Sequence, residues 1–116
     1  MKEQFKNSIL EYIKSKGFEL DNSQDEVYET YIKTITVPGQ LSTMIINGRQ
    51  MQQQGPPITL KYICDIWGFG SIDDNEFLEI GFIVYHTDEI VTNFIDCFYL
   101  DEFEFFKEIF NKIFNR

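Results

Sequence analysis

The sequence predicts a single α+β domain: an N-terminal helix, an antiparallel sheet of five or six strands in a meander, and a C-terminal helix packed on the sheet. Apolar residues recur at helical spacing near both ends of the chain and alternate with polar residues between them. The chain has 16 isoleucines, 12 phenylalanines and 6 tyrosines but no alanine, which favours strands. Its 116 residues fit one domain over residues 1–116.

The first predicted element is a helix over residues 3–15. Gly17 follows two lysines and is expected to end the helix, because cations suit a helix carboxyl end and glycine tolerates a positive φ. Residues 21–26 are expected to form a polar loop. One face of the predicted helix is apolar and carries Phe5, Ile9, Tyr12 and Ile13.

The middle of the chain is predicted to form strands, because valine, isoleucine, threonine and tyrosine alternate with polar residues there. Asn47-Gly48 is the strongest hairpin signal, since a type I′ turn needs a positive φ at both central residues. Gly68 to Asn75 is expected to hold the next turn. The predicted strands are Val27–Val37, Leu41–Ile46, Arg49–Gln53, Ile58–Trp67 and Glu76–Tyr85.

The segment Glu89–Tyr99 permits two interpretations. Its apolar residues alternate as in a strand, and Thr92 and Phe98 suit that conformation. A helix beginning at Thr87 is the alternative. The pattern favours the strand but leaves the helix open.

The C-terminal helix has the clearest pattern. Asp101 and Glu104 resemble a capping box, with aspartate in place of the usual serine or threonine. Cations lie toward the end of the helix, where they favour its dipole: Lys107, Lys112 and Arg116. The apolar stripe consists of Phe103, Phe106, Phe110 and Ile113.

Charge is the strongest indication of function. The chain has no lysine or arginine between Tyr62 and Phe106, and the stretch from Asp65 to Glu104 holds 11 carboxylates and 9 aromatic rings. An acidic segment this apolar should fold and carry its charge on a surface. Such a surface repels nucleic acid and anionic membranes and attracts basic proteins. No carboxylate occurs over residues 30–64, so the molecule is electrostatically two-sided.

We therefore expect a non-enzymatic interaction module of the inhibitor, immunity or adaptor type, with a DNA mimic as its sharpest form. One face of the predicted sheet mixes apolar and charged residues, and either a partner or sheet curvature would cover it. The expected partner is a basic protein that contacts this acidic and aromatic surface. The candidate partner-binding residues are Asp65, Trp67, Phe69, Glu76, Phe77, Glu79, Tyr85, Asp88, Glu89 and Asp96.

Two alternatives stay open. A sheet gripped by the C-terminal helix could enclose an apolar ligand pocket lined by phenylalanines. A structural subunit of a phage or mobile element could form a homo-oligomer through the mixed face. The lack of alanine beside abundant isoleucine, phenylalanine, asparagine and lysine is typical of AT-rich genes, which suits such a source.

Catalytic and metal-binding signals are weak. The single histidine, His86, has no spacing that pairs it with Cys97 as base and nucleophile. The acidic run from Asp73 to Glu76 lacks the alternation of a calcium loop and suits a turn. Cys64 and Cys97 are expected to be two buried free thiols in a cytoplasmic protein. We expect no cofactor.

Overall fold

A computed structural model describes residues 1–21 and 29–114, and these form two helices and seven strands. The predicted α+β class is confirmed. The predicted loop residues 22–26, the start of the strand at Val27 and the helix end at Arg116 lie outside the described residues. The helices are α1 (Lys2–Ser15) and α2 (Phe103–Phe114). The strands are β1 (Glu19–Leu20), β2 (Glu29–Val37), β3 (Leu41–Ile46), β4 (Arg49–Gln54), β5 (Ile58–Ile72), β6 (Asn75–His86) and β7 (Glu89–Tyr99).

The strands form two antiparallel sheets. The main sheet has five strands in the order β1-β2-β5-β6-β7, and β3 pairs with β4 alone. From β2 onward the main sheet is the predicted meander, interrupted by the separate hairpin. The sequence did not predict β1, because a strand of two residues is too short to show alternation.

Both helices pack on one face of the main sheet. Phe82 on β6 is fully buried, and its ring centroid lies 6.2 Å from that of Phe106 and 6.0 Å from that of Phe114 on α2. The Tyr12 hydroxyl on α1 donates a hydrogen bond to Asn111 Oδ1 on α2 at 2.9 Å. Each fully buried large apolar side chain stabilises the fold by about 1.5–3 kcal/mol. The helices bury Phe5, Ile9, Ile13, Phe106, Phe110 and Phe114.

The helix ends follow the sequence closely, with one correction. Gly17 adopts a φ of 92° just after α1, which confirms the predicted stop. The predicted cap pair Asp101 and Glu104 is wrong by one residue: α2 begins at Phe103, after Glu102. The Glu102 N–H donates to the Tyr99 carbonyl at 2.9 Å, and Glu102 Oε1 accepts from the Tyr99 N–H at 2.8 Å. This tight turn after β7 puts Glu102 in front of the helix.

Strand β5 is longer than predicted. The expected turn over Gly68 to Asn75 is wrong, because β5 continues to Ile72 and the turn contains only Asp73 and Asp74, with φ of 50° and 65°. A β-bulge between Ile66 and Gly68 shifts the register and lets pairing resume, with Gly68 at a φ of 138°. The glycines that suggested a turn mark a bulge instead.

The segment Glu89–Tyr99 is a strand, so the alternative helix from Thr87 is wrong. It pairs with β6 along its length and forms an edge of the main sheet. Thr87 has a φ of 59° in the preceding turn, and its N–H donates to the Thr59 carbonyl at 2.7 Å. That bond ties the β6–β7 turn to the start of β5.

The hairpin β3–β4, which we name the β-arm (Leu41–Gln54), projects from the main sheet. Its turn has the predicted chemistry, with φ of 53° at Asn47 and 73° at Gly48. Every residue of the arm's two strands is exposed. The molecule accordingly measures 72 Å along its longest axis and 28 and 23 Å along the others. At the root of the arm, the Gly55 N–H donates to the Gln40 carbonyl at 2.9 Å.

Candidate functional site

The open face, as we name it, is the side of the main sheet opposite α1 and α2. Directly paired residues of antiparallel strands share a face, so the register identifies its members. Trp67 is 40 % exposed and Ile95 is 52 % exposed on this face. The described residues therefore show a face that is only partly open to solvent, since Ile63, Phe77, Ile83 and Tyr85 are half-buried. Its main members are Ile32, Ile63, Asp65, Trp67, Phe77, Glu79, Ile83, Tyr85, Ile90, Ile95, Cys97 and Tyr99.

The indole of Trp67 lies across the neighbouring strand. A Cβ added at Gly81 on β6 would lie 2.8 Å from Trp67 Nε1 and 3.6 Å from the Cβ of Asp65. Only glycine leaves room for the ring to approach β6 this closely. The indole therefore lies over Gly81 and forms an apolar platform on the open face.

A second ring lies over a glycine nearer the β5–β6 turn. A Cβ added at Gly70 would lie 2.8 Å from Phe77 Cζ. The Phe77 ring also meets Tyr99 on β7 edge-on, with centroids 6.2 Å apart. Rings from β6 and β7 therefore extend the apolar surface along the open face. Such rigid aromatic groups are the usual anchors of protein interfaces.

A buried carboxylate lies beside the Trp67 platform. Asp65 is 6 % exposed, and the Thr30 hydroxyl donates to Asp65 Oδ1 at 2.8 Å. Burial raises the pKa of Asp65, and the Thr30 hydrogen bond opposes that rise. A cation brought close by a partner would favour the charged carboxylate, so this position gains from a basic ligand.

Glu79 and Cys97 face each other across β6 and β7. Burial raises the pKa of the Cys97 thiol, and the charges of Glu79 and Asp96 raise it further. The thiol is therefore a weak nucleophile. Cys97 is exposed, so the expectation that both thiols are buried is confirmed only for Cys64. Cys64 lies on the helix-covered face, and both cysteines are free.

The pairing register separates His86 from Cys97. His86 pairs with Glu89 at one end of β6, whereas Cys97 pairs with Glu79, seven residues along that strand. Seven strand residues span about 24 Å. These two side chains are too far apart to act as base and nucleophile.

The structure divides the ten predicted partner-binding residues. Five share the open face: Asp65, Trp67, Phe77, Glu79 and Tyr85. Phe69 does not join them, because the bulge after Ile66 reverses the alternation and puts Phe69 opposite Leu78 on the covered side. There Phe69 packs against the core, with Lys2 Nζ 5.1 Å from its ring centroid.

The other four lie elsewhere on the molecule. Asp96 pairs with Ile80 and therefore points to the helix-covered side, where its Oδ1 accepts from the Cys97 N–H at 2.8 Å. Glu76 lies next to the β5–β6 turn and forms an ion pair with Lys2 at 3.3 Å. Asp88 and Glu89 lie at the opposite end of β6. The prediction of one surface shared by all ten residues is therefore wrong.

Sequence reasoning missed several apolar members of the open face. Alternation alone assigns Ile63 to the same side of β5 as Asp65, and Ile83 to the same side of β6 as Glu79. Ile95 and Tyr99 needed more information, because only the β6–β7 register assigns them to the same face as Trp67. The pairing of strands, which one sequence does not specify, was the missing information.

The phenylalanines expected to line a ligand pocket pack against one another. The rings of Phe110 and Phe114 on α2 have centroids 4.9 Å apart, and each also contacts Phe18. A cavity of about 310 Å³ opens beside these rings, and its lining includes Phe18, Tyr62, Phe110 and Phe114 together with Lys16 and Lys33. The ligand-binding alternative stays a prediction.

Neither protein-family models, curated proteins nor solved structures match this chain. Among the described residues, no three histidine, cysteine, aspartate or glutamate side chains are grouped to hold a metal ion. The helices described for residues 1–21 and 29–114 are too short or too polar to span a membrane.

Proposed function

We propose that this protein is a non-enzymatic interaction module that binds a basic protein partner on its open face. The observation that carries the proposal is the exposure of Trp67, Ile95 and Tyr99 beside the carboxylates Asp65 and Glu79 on one side of a sheet. Apolar patches with a charged surround are typical of protein-binding surfaces.

The two kinds of residue have separate roles in this proposal. Trp67 and Tyr99 supply apolar area at a small cost in side-chain entropy, so they anchor the partner. Glu79 steers cationic partners toward the face and selects against acidic ones. Lys61 is the one cation among the described residues of the open face. It lies on β5, where it pairs with Tyr85 of β6 on one side and with β2 on the other.

Matched charge reversals in a capture experiment test the proposal. Tagged protein is incubated with extract of the organism that encodes it, and captured proteins are quantified by mass spectrometry. Trp67→Ala with Glu79→Lys should remove the captured partner, because both the anchor and the steering charge are lost. Phe105→Ala with Glu108→Lys is the control, since both residues are exposed on α2.

Salt provides a second criterion. Capture should weaken as ionic strength rises, because exposed charges are screened beyond roughly 10 Å at 0.1 M salt. A partner retained by Trp67→Ala with Glu79→Lys but lost with the α2 control would overturn the proposal. Circular dichroism of both variants verifies that they are folded.

A further inference from the structure

The β-arm exposes five large apolar side chains to solvent, and no other part of the described chain covers them. Its large apolar side chains are between 42 % and 72 % exposed, the extremes being Met44 and Ile45. A two-stranded hairpin is only marginally stable alone in water, and both of its edges are open to further pairing. The arm therefore has the properties of a segment that is covered in its functional state. Its exposed apolar residues are Leu41, Met44, Ile45, Ile46 and Met51.

The arm and the open face are complementary in charge. The arm has no carboxylate, and its single charge is Arg49 at the tip. On the same side of the hairpin as Arg49 lie Ile46 and the cross-strand pair Met44 and Met51. Methionine side chains adapt to irregular apolar surfaces such as rings spread over a sheet.

We propose that the open face binds the β-arm of a second copy of this chain, and that reciprocal arm exchange makes a two-fold dimer. This rests on the proposed function, because it names the partner of the open face. The basic group is Arg49 on the arm, although the chain as a whole has a net charge of −9. The two-stranded sheet of each arm stacks on the main sheet of the other copy at a distance of about 10 Å, the usual spacing of stacked sheets. Each arm then covers the other copy's open face through the same contacts.

The length of the arm agrees with the length of the open face along β6. The arm leaves the main sheet after Val37 and returns at Ile58, beyond the end of the sheet that holds the β6–β7 turn. Each strand of the arm has six residues and spans about 20 Å. On β6, Glu79 and Tyr85 are also about 20 Å apart. If the arm of the second copy lies along β6 from Tyr85 toward Glu79, its Arg49 comes to the level of Glu79 and Asp65.

Complementary charge reversals test the dimer. Full-length protein is examined by sedimentation equilibrium from about 1 to 100 μM, the range in which weak dimers dissociate. Arg49→Glu and Glu79→Arg should each weaken the dimer about tenfold, because each places like charges together at both arms. An equimolar mixture of the two variants should recover wild-type affinity, since every arm then meets an opposite charge.

A matched control shows whether the rescue belongs to the open face. Arg49→Glu combined with Glu108→Arg in one chain should show no recovery, because Glu108 is exposed on α2 and does not contact the arm in the proposed dimer. Met44→Ser with Met51→Ser should weaken the dimer, whereas Ile45→Ser, on the other side of the arm, should leave it intact. These exposed positions also leave the body folded.

Two results would overturn the inference. One is a wild-type protein that is monomeric at about 100 μM. The other is a dimer that neither reversal weakens, which would place the contact elsewhere, for example along the β7 edge. Either result leaves the proposed function standing if capture from extract still depends on Trp67 and Glu79. If that dependence fails too, both proposals are wrong.

Discussion

The β-arm and the β5–β6 hairpin share turn chemistry but differ in burial. Both turn through two residues with positive φ, Asn47-Gly48 in the arm and Asp73-Asp74 in the body. In β6, Leu78, Ile80 and Phe82 alternate into a core covered by α1 and α2. Every strand residue of the arm is exposed.

The difference in burial between the two hairpins is decided by the side chains of their strands and not by their turns. Strand β4 consists of four glutamines, one methionine and one arginine, so this strand lacks the apolar alternation that would bury one of its faces in the monomer's core. Strands β5 and β6 carry rings and branched residues on both faces. The turn specifies that a hairpin forms, whereas the strand faces specify where it packs.

The largest expected difference between the two hairpins is in stability. Phe82→Ala should lower the free energy of unfolding by about 3–5 kcal/mol, because it leaves a cavity beneath α2. Ile45→Ala in the arm should change it by no more than about 0.5 kcal/mol. Urea denaturation at low protein concentration measures both values. A loss above about 2 kcal/mol for Ile45→Ala would mean that the arm is buried within the monomer.

The root of the arm offers a more local test. A Cβ at Gly39 would overlap the Pro56 carbonyl oxygen and lie 2.5 Å from that of Gly55, and neither backbone atom can move aside freely. Gly39→Ala should therefore cost about 1–3 kcal/mol and loosen the arm.

Hydrogen exchange of the arm amides, followed by mass spectrometry, measures this loosening. Exchange in β3 and β4 should accelerate while the amides of β6 keep their protection. Gln40→Ala is the control, because its exposed side chain can be removed without altering the backbone bond to Gly55. Equal exchange in the two variants would show that Gly39 does not hold the arm.

The smallest expected effect is a pH dependence of stability that arises from Asp65 on β5, in the β5–β6 hairpin. Burial raises the pKa of Asp65 in the folded state, so its contribution to stability is present at low pH and is lost as pH rises through the folded pKa. Asp65→Asn stays neutral and should gain stability relative to wild type as pH rises from about 4, the ordinary aspartate pKa, toward neutrality.

Thermal melts across this pH range test the prediction. Thr30→Val removes the hydroxyl that donates to Asp65, so the loss of stability with rising pH should become steeper. A wild-type protein whose stability relative to Asp65→Asn increases with pH would show the opposite sign and contradict a raised pKa.

Much of the fold was predictable because it depends on local patterns. The spacing of Phe5, Ile9 and Ile13 predicted α1, and Asn47-Gly48 predicted the arm's turn with both positive φ angles. The alternation in Glu89–Tyr99 correctly favoured a strand. Such signals are readable because each arises from residues a few positions apart.

The candidate site was predictable only in part, because a face of a sheet is made by pairing between distant residues. The sequence by itself determined the helices, most of the strands and the acidic, aromatic character of residues 65–104. The bulge after Ile66, which moved Phe69 away from Trp67, appeared only when β5 met β6. The exclusion of the β-arm from the main sheet was likewise decided by tertiary structure, because β5 pairs with β2 on one side and β6 on the other, so no edge of that strand is left for β3 or β4.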